Sequence, residues 1–456
     1  MEKIITINPA TEEVLGEYPE LQEKEILARI SQSANAFKTW SSMNIEKRCE
    51  YLLKVAEILK NRKNSLARLI TLEMGKPIKQ SIAEIEKCEW VCRYYAENAV
   101  QQLKDIEIST EMSKSYVTFQ PLGPILAIMP WNFPFWQVFR FAAPNLVAGN
   151  TALLKHSSNT MGCAIELEKV FEEADLPKGV FQNLVISSKK VPMVIENPEV
   201  QGVTLTGSTP VGKEVAKISG WNLKKTVLEL GGSDPYIILK DANIDSAVEA
   251  CVTSRLINNG QSCISAKRFI VEKPIFDTFV EKFVQLIKSK KVGNPIEDDV
   301  DVGPLARRDL LLELHQQVRR GKELGDKVIW GGEIFRSKGF YYAPTLAIVE
   351  NLESPLFNEE TFGPVAAVIP AKNEEEAIYL ANCSSYGLGA AIFTSDIEMG
   401  NQIAWNKLFA GSCFVNDFVK SDPRLPFGGV KESGYGRELS VFGIREFVNI
   451  KTVCVK

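Results

Sequence analysis

The chain has 456 residues, of which 45% are hydrophobic and 24% charged, with a formal net charge of −4. This length exceeds the roughly 250–300 residues at which a single hydrophobic core stops growing, so we expect two or three domains. A mildly acidic chain has no positive field to attract nucleic acid, and no apolar run approaches the ~20 residues of a membrane span.

The first hundred residues are predicted to be mainly helical. Ile26 and Ile30 lie on one helical face, and Leu52 and Ala56 repeat the pattern in a second segment. A third helix is expected to end at Gly75, because glycine is the preferred residue immediately after a helix.

The pattern then changes to short strands. Residues 113–120 are β-rich and typical of an exposed strand in a protruding hairpin. Between residues 124 and 232, apolar runs alternate with helical segments, which indicates a parallel, doubly wound sheet. The alternation then starts again, with helices predicted over 244–256 and 275–287, and suggests a second α/β domain. The strand-like residues 446–456 are expected to help build an oligomer.

Cysteine and histidine usage limits the possible chemistry. The nine cysteines show no CxxC spacing, which favours reduced thiols over disulfides or a zinc site. Residues 1–17 lack the apolar stretch of a secretory signal, so a cytoplasmic location is expected. Because the chain has only two histidines, any nucleophile is expected to depend on a different base.

Three residues are candidates for catalysis. Cys263 lies on a polar, glycine-containing turn before a predicted strand, although most cysteines are buried, inert thiols. Glu229 ends an apolar strand, where a desolvated carboxylate can act as a general base or simply face water. Asn132 is an isolated amide among aromatic residues and prolines, and such an amide can donate to a developing oxyanion.

A turn rich in glycine and hydroxyl groups, "TGSTPVG" over residues 206–212, follows one strand and precedes a helix. Backbone amides at such a helix start can bind a pyrophosphate, although similar turns occur in most α/β proteins. The turn by itself is therefore a weak signal.

Seven segments occur in the order found in the aldehyde dehydrogenase superfamily, namely "NPATEEVLGE", "PWNFPFW", "LTGSTPVG", "LELGGSDP", "GQSC", "EETFGPV" and "LPFGGVKESGYGRE". The chain resembles that superfamily from residue 8 to about residue 438, and most closely its bacterial and cyanobacterial succinate-semialdehyde dehydrogenases. The resemblance implies two doubly wound α/β domains, a Rossmann-type cofactor domain and a catalytic domain, plus a small β oligomerisation element. It places the NAD(P)-binding domain at 1–105 and 122–229, the catalytic domain at 230–430, and the oligomerisation strands at 106–121 and 440–456.

The resemblance also implies catalytic roles. Cys263 is expected to be the nucleophile, and Asn132 with the Cys263 backbone N–H the oxyanion hole. Glu229 is expected to activate the water that hydrolyses the thioester, which favours release of an acid over transfer to coenzyme A. No metal is expected.

The cofactor-binding residues implied by the resemblance are Trp131, Lys155, Ser158, Gly207, Ser208, Gly231, Glu360 and Phe362. Lys155 is assigned to the adenosine ribose, Ser208 to the pyrophosphate, and Glu360 with Phe362 to the nicotinamide ribose and ring. Many NAD-specific members carry a glutamate where this chain has Ser158. We therefore expect NADP to be preferred and NAD to remain possible.

For the substrate, Arg140 and Ser421 match the carboxylate-binding positions of the succinate-semialdehyde dehydrogenases. Some relatives place another arginine six residues before the cysteine, where this chain has Ile257. A broader aliphatic or aromatic aldehyde dehydrogenase is therefore an alternative. A cysteine esterase and a non-catalytic nucleotide-binding protein are alternatives from other classes. The expected partners are a small aldehyde and further copies of the chain, in a homodimer or homotetramer.

Overall fold

The computed structural model describes residues 3–456. Its helices are α1 Glu23–Trp40, α2 Ile45–Met74, α3 Ile78–Gln102, α4 Trp136–Ala148, α5 Met161–Glu173, α6 Val191–Glu196, α7 Thr209–Trp221, α8 Ile244–Leu256, α9 Lys273–Lys288, α10 Arg308–Glu323, α11 Pro355–Asn358, α12 Glu374–Asn382, α13 Ile397–Asn406 and α14 Ser440–Ile444.

Its strands are β1 Lys3–Ile7, β2 Val14–Pro19, β3 Ile106–Glu107, β4 Lys114–Pro121, β5 Pro124–Met129, β6 Thr151–His156, β7 Phe181–Asn183, β8 Gly202–Thr206, β9 Lys225–Glu229, β10 Pro235–Ile238, β11 Arg268–Glu272, β12 Lys327–Trp330, β13 Thr345–Ile348, β14 Val365–Ala371, β15 Gly389–Phe393, β16 Ser412–Val415, β17 Gly434–Tyr435 and β18 Val448–Val455.

Two large sheets organise the chain. The six-stranded sheet has the order β17-β9-β8-β5-β6-β7, and its strands are parallel except β17, which pairs antiparallel with β9. The seven-stranded sheet has the order β12-β13-β14-β11-β10-β15-β16 and is parallel except at β12. The predicted pair of doubly wound α/β sheets is therefore confirmed.

Helices cover both faces of each sheet, and the strand periodicity explains why. Along β5, Ile125 and Ala127 contribute to the core beneath α2 to α5, whereas Leu126 and Ile128 contribute to the core beneath α1, α6 and α7. Successive side chains of a strand point to opposite faces, so a sheet covered on both sides needs uninterrupted apolar strands. The strands of the seven-stranded sheet divide in the same way between two cores.

The N-terminal region differs from the prediction in two respects. The chain begins with the antiparallel pair β1 and β2, which the helical periodicity did not reveal. The two segments predicted around Leu52 and before Gly75 form one helix, α2, which ends at Met74 with Gly75 in the left-handed region at φ 82°. No glycine or proline interrupts residues 45–74, so nothing in that stretch breaks the helix.

The C-terminal prediction is also corrected in part. Residues 440–444 form the short helix α14, and only Val448–Val455 form a strand. That strand, β18, pairs antiparallel with β4 of the same chain along eight residues and forms one edge of the sheet β18-β4-β3.

Among residues 3–456, none of the helices has both the length and the apolar composition that crossing a bilayer requires.

Candidate active site

The ends of four neighbouring parallel strands bring the predicted site residues together. In the six-stranded sheet β9, β8, β5 and β6 lie side by side, and their carboxyl ends lie at one edge. The chain order reverses between β8 and β5, which is the position where open α/β sheets bind ligands. The residues at these strand ends are Glu229, Gly207, Ser208, Trp131, Asn132, Lys155 and Ser158.

A cavity of about 680 Å³ opens at this edge, and we call it the larger cavity. Its volume lies within the range of roughly 300–1,000 Å³ typical of small-molecule and cofactor sites. Lys155 and Ser158 lie beyond its walls, at the adjacent end of β6. The predicted residues that line it are Trp131, Asn132, Gly207, Ser208, Gly231, Cys263, Glu360 and Phe362.

The start of α7 offers an anion site at the larger cavity. Ser208 precedes the helix with extended backbone angles, and its side chain caps no backbone amide. The first N–H groups of a helix have no partner within the helix, and together with the helix dipole they attract negative charge. The turn at 207–209 therefore fits the pyrophosphate of a dinucleotide.

Glu360 and Phe362 form another part of the wall. Glu360 accepts a hydrogen bond from the Gly232 N–H at 3.0 Å and lies 3.4 Å from Lys267 Nζ. A Cβ on Gly231 would lie 2.5 Å from Glu360 Oε2, so any larger residue there would displace this carboxylate. A carboxylate held in this way can accept hydrogen bonds from ribose hydroxyls, so these residues also fit a dinucleotide.

The turn that carries Cys263 has an unusual backbone. Asn258, Asn259 and Gly260 have φ values of 55°, 58° and 76°. Side chains rarely adopt this left-handed region, and at Gly260 a Cβ would lie 2.3 Å from the carbonyl of Gly363. Nothing in the sequence pattern singles out Asn258, whose side chain donates to the carbonyls of Asn132 at 2.8 Å and Gln261 at 2.9 Å.

Asn132 and Cys263 meet at this turn. Asn132 Nδ2 donates to the Gln261 carbonyl at 3.1 Å, and Lys267 Nζ donates to the Cys263 carbonyl at 2.7 Å. Burial raises the pKa of the Cys263 thiol to about 12, while the positive charges of Arg140 and Lys267 oppose that rise. The thiol therefore needs a proton acceptor before it can attack a carbonyl.

Glu229 lies in a buried charged cluster. The exposed fractions of Glu229, Arg140 and Glu438 are 2%, 2% and 5%. Arg140 forms an ion pair with Glu438 and donates to Thr206 Oγ1 at 3.4 Å. Burial, and then the like charge of Glu438, raise the pKa of Glu229 well above its usual value. A carboxylate whose pKa is raised in this way is a stronger base than an ordinary glutamate, as a general base requires.

Glu229 does not face water, which was one of the two expectations from the sequence. Its side chain lines neither the larger cavity nor the second cavity described below. Within residues 3–456, neither of its carboxylate oxygens has a hydrogen-bond partner. The carboxylate is thus buried next to the site without being fixed in place by protein donors.

A second cavity of about 190 Å³, which we call the smaller cavity, lies between α3, α4 and the loop 418–421. This volume is below the range of drug-sized ligand sites, so it suits a small molecule. Arg140 and Ser421 both line it, as does the apolar Ile257. Lys87, which no sequence pattern singles out, also lines this cavity and donates to Ser421 Oγ at 2.8 Å.

Neither histidine lines either cavity. His156 is buried, and burial lowers its pKa to about 4, so its ring is neutral. Within residues 3–456, no group of three or more histidine, cysteine, aspartate or glutamate side chains is arranged to hold a metal ion. The cavities therefore offer a thiol, a carboxylate, amides and ammonium groups for chemistry.

Comparisons with known proteins point to one family. The model of the aldehyde dehydrogenase family matches residues 1–453. A probable succinate-semialdehyde dehydrogenase (NADP(+)) of Synechocystis sp. is 45% identical over 452 residues, which are 99% of each chain. The succinate semialdehyde dehydrogenase (NAD(P)+) of Escherichia coli K12 is 44% identical over 98% of this chain and 97% of that relative. The crystal structure of succinic semialdehyde dehydrogenase from Streptococcus pyogenes with NADP+ as the cofactor has a TM-score of 0.97, at 37% identity and 99% coverage of both chains.

Proposed function

The chain belongs to the aldehyde dehydrogenase family, and on that premise we propose that it oxidises succinate semialdehyde to succinate with NADP as the preferred cofactor. The relatives named above, similar over nearly their whole length, support the substrate and the cofactor.

One observation carries the proposal. Among the described residues, Cys263 is the one that lines both the larger and the smaller cavity. A nucleotide in the larger cavity and a small aldehyde in the smaller one would therefore meet at this sulfur. An oxidation through a covalent thioester needs this arrangement, because the nucleophile must contact the aldehyde while the electron acceptor lies beside it.

The residues perform the chemistry in sequence. The Cys263 thiolate attacks the aldehyde carbon and forms a thiohemiacetal, whose oxyanion receives hydrogen bonds from Asn132 Nδ2 and the Cys263 backbone N–H. The nicotinamide cofactor, when bound, supplies the two-electron acceptor for the oxidation. The product on Cys263 is a thioester. Glu229 then takes a proton from water, which attacks the thioester and releases the acid and the free thiol. Because Glu229 lines neither cavity, this step requires its side chain to rotate towards Cys263.

For the cofactor, we assign the groups at the strand ends by what they offer. The uncapped start of α7 with Gly207 and Ser208 suits the pyrophosphate, and Glu360 suits a ribose. Trp131 packs edge to face against Phe362, with ring centroids 5.6 Å apart, and both line the larger cavity, as does Gly231. Lys155 and the exposed Ser158, at the end of β6, suit the adenosine ribose and its 2′-phosphate.

Substitution Ser158→Glu is expected to lower kcat/KM for NADP by about 10- to 100-fold, because a carboxylate there repels the 2′-phosphate and cannot donate to it. The kcat/KM for NAD should change much less. Steady-state kinetics with both cofactors measure the effect. Ser289→Glu, at the exposed end of α9, is the matched control for an added charge. An equal loss with both cofactors would contradict the assignment of Ser158.

We also propose that the protein assembles as a homodimer or homotetramer in the cytoplasm. The edge strand β18, whose side chains are mostly exposed, supports the assembly because an edge strand can pair with another chain. The free cysteines and the proposed thiol chemistry suit a reducing compartment. Light scattering of the purified protein measures the assembly, and a monomer at micromolar concentration would contradict it.

The proposed function is tested by measuring kcat/KM for succinate semialdehyde and for butanal, each with NADP and with NAD. We expect a preference of about 10- to 100-fold for succinate semialdehyde, since a charged hydrogen bond contributes about 1.5–3 kcal/mol, and a preference for NADP. Equal efficiency with the two aldehydes would instead indicate a broader aldehyde dehydrogenase.

Two other classes make different predictions in the same assay. A cysteine esterase would hydrolyse p-nitrophenyl acetate and form no reduced cofactor on addition of an aldehyde. A non-catalytic nucleotide-binding protein would do neither. The cavity in which Cys263 meets the start of α7 favours the dehydrogenase over both, because neither alternative needs the thiol beside a nucleotide site.

A further inference from the structure

Lys87, Arg140 and Lys420 line the smaller cavity, and these positive charges are not equivalent, since Lys420 already pairs with Asp417. Lys76, behind the cavity wall, forms a buried ion pair with Glu84. Glu84 also accepts hydrogen bonds from the backbone N–H groups of Phe135 at 2.9 Å and Trp136 at 3.0 Å. Glu84 is therefore fully occupied, although it lines the cavity.

Arg140 is similarly committed. Its guanidinium is paired with Glu438 and lies 4.4 Å from the centre of the Phe427 ring. Glu438 and Thr206 thus occupy part of its guanidinium, which leaves fewer N–H groups for a ligand, although its charge still acts on Lys87.

Lys87 differs from both. It lies on α3, its ammonium group is 4.5 Å from the centre of the Trp136 ring, and its hydrogen-bond partner among the described residues is the Ser421 hydroxyl. An ammonium group has three donors, so a hydroxyl leaves its charge and two N–H groups available. Half-buried cations without a carboxylate partner are costly, which makes a ligand anion the expected counterpart.

We propose that Lys87, held by Ser421 and Trp136, is an anchor for the carboxylate of the substrate in the smaller cavity. Lys87 Nζ would pair with the carboxylate, and the Ser421 hydroxyl, which accepts from Lys87, is free to donate its own proton to the same carboxylate. Arg140 lines the adjoining wall, where Glu438 and Thr206 occupy part of its guanidinium. This assignment rests on the proposed function, because it concerns the substrate of the same site.

The ionisation of Lys87 agrees with this geometry. Burial, and then the nearby charge of Arg140, lower the pKa of Lys87 to about 8. The carboxylates that oppose this shift are Asp422, in the loop beyond Ser421, and Glu84 on α3, and Cys88 acts in the same direction. Lys87 is thus charged at neutral pH and loses its charge as the pH rises above about 8, unless a bound carboxylate stabilises the ammonium form.

The test compares Lys87→Met with Lys87→Arg, using succinate semialdehyde and butanal as substrates. For Lys87→Met we expect KM for succinate semialdehyde to rise by about 10- to 100-fold, the usual effect of losing a charged hydrogen bond, with butanal kinetics unchanged within about twofold. Lys87→Arg should retain most of the preference for succinate semialdehyde. Lys79→Met, which removes an exposed lysine from the same helix, is the matched control.

Two further readouts separate a binding role from a structural one. The inhibition constant of succinate, competing with the aldehyde, should rise in Lys87→Met to a similar extent as KM. In the wild type, the preference for succinate semialdehyde over butanal should fall as the pH rises above about 8, and Lys87→Arg should abolish that fall because arginine keeps its charge.

The outcomes distinguish the two proposals. If the wild type does not prefer succinate semialdehyde to butanal, the proposed substrate is wrong. If it does, but Lys87→Met keeps that preference or loses activity equally with both aldehydes, the substrate assignment stands and the role of Lys87 is wrong. Should Lys87→Met fold poorly, as judged by its melting temperature, the pH dependence of the wild type and of Lys87→Arg decides the question.

Discussion

Replacing Cys263 by alanine is expected to lower kcat for aldehyde oxidation by about 10⁴-fold or more, the scale seen when a covalent nucleophile is removed. Cys263 lies on the turn after α8 and lines both cavities. Without its sulfur neither the thiohemiacetal nor the thioester can form. Reduced-cofactor formation at saturating succinate semialdehyde measures the loss, and nucleotide binding, followed by fluorescence, should persist.

The chain provides a matched control for this substitution. Cys454 is an exposed cysteine on β18, away from both cavities, and Cys454→Ala should retain wild-type turnover. If Cys263→Ala kept more than a tenth of wild-type kcat, the nucleophile would have to be a different residue. The half-buried Cys383 and Cys413 would then be the next thiols to replace.

Replacing Glu229 by glutamine is expected to lower steady-state turnover by about 10²- to 10⁴-fold, the usual contribution of a general base. The amide has nearly the same shape as the carboxyl group but cannot take a proton from water. Reduced cofactor should still appear in a burst of about one equivalent per active site, because thioester formation precedes hydrolysis. Rapid mixing measures the burst, and mass spectrometry of the quenched protein should detect the acyl group on Cys263.

The control for this variant is Glu432→Gln, which removes an exposed carboxylate paired with Lys213 and should leave turnover unchanged. A burst followed by turnover at the wild-type rate would show that another group activates the water. Loss of the burst together with turnover would place Glu229 before the thioester, as the proton acceptor of Cys263.

The pH profile follows from the same two groups. Burial raises the pKa of Glu229 well above its usual value and that of Cys263 to about 12. Both residues act in their deprotonated forms, so activity with the uncharged butanal should rise from acidic through neutral to alkaline pH. The Glu229→Gln variant still turns over slowly. The part of the pH dependence that comes from ionisation of Glu229 should be absent from its rate.

The sequence predicted the strands and turns that carry the candidate catalytic residues well, because these elements follow from local patterns. Apolar runs located the strands, and the polar turns at their ends carry Asn132, Glu229 and the 206–212 segment. The predicted helix 244–256 coincides with α8. The start of this helix is fixed by the capping residue Asn243, which accepts a hydrogen bond from the Ser246 N–H.

Contacts between distant segments were not predictable. Glu438 was visible in the "GYGRE" motif, but nothing in the sequence shows that it pairs with Arg140 of α4. Lys87 lies in an ordinary charged helix, where a solvated lysine is the usual outcome. Only the packing of α4 and the loop 418–421 against α3 turns it into a half-buried cation.

The larger and the smaller cavity have separate walls that meet at Cys263. The smaller cavity is built from α3, α4 and the loop 418–421, whereas strand ends, α7, α10 and the segment 359–362 line the larger one. The specificity for the aldehyde and the specificity for the nucleotide can therefore evolve separately. With Lys87 in its proposed role, a mutation there alters the choice of aldehyde without touching the nucleotide. Gene duplicates of such a chain can therefore diverge towards new aldehydes while inheriting the same thiol and cofactor chemistry.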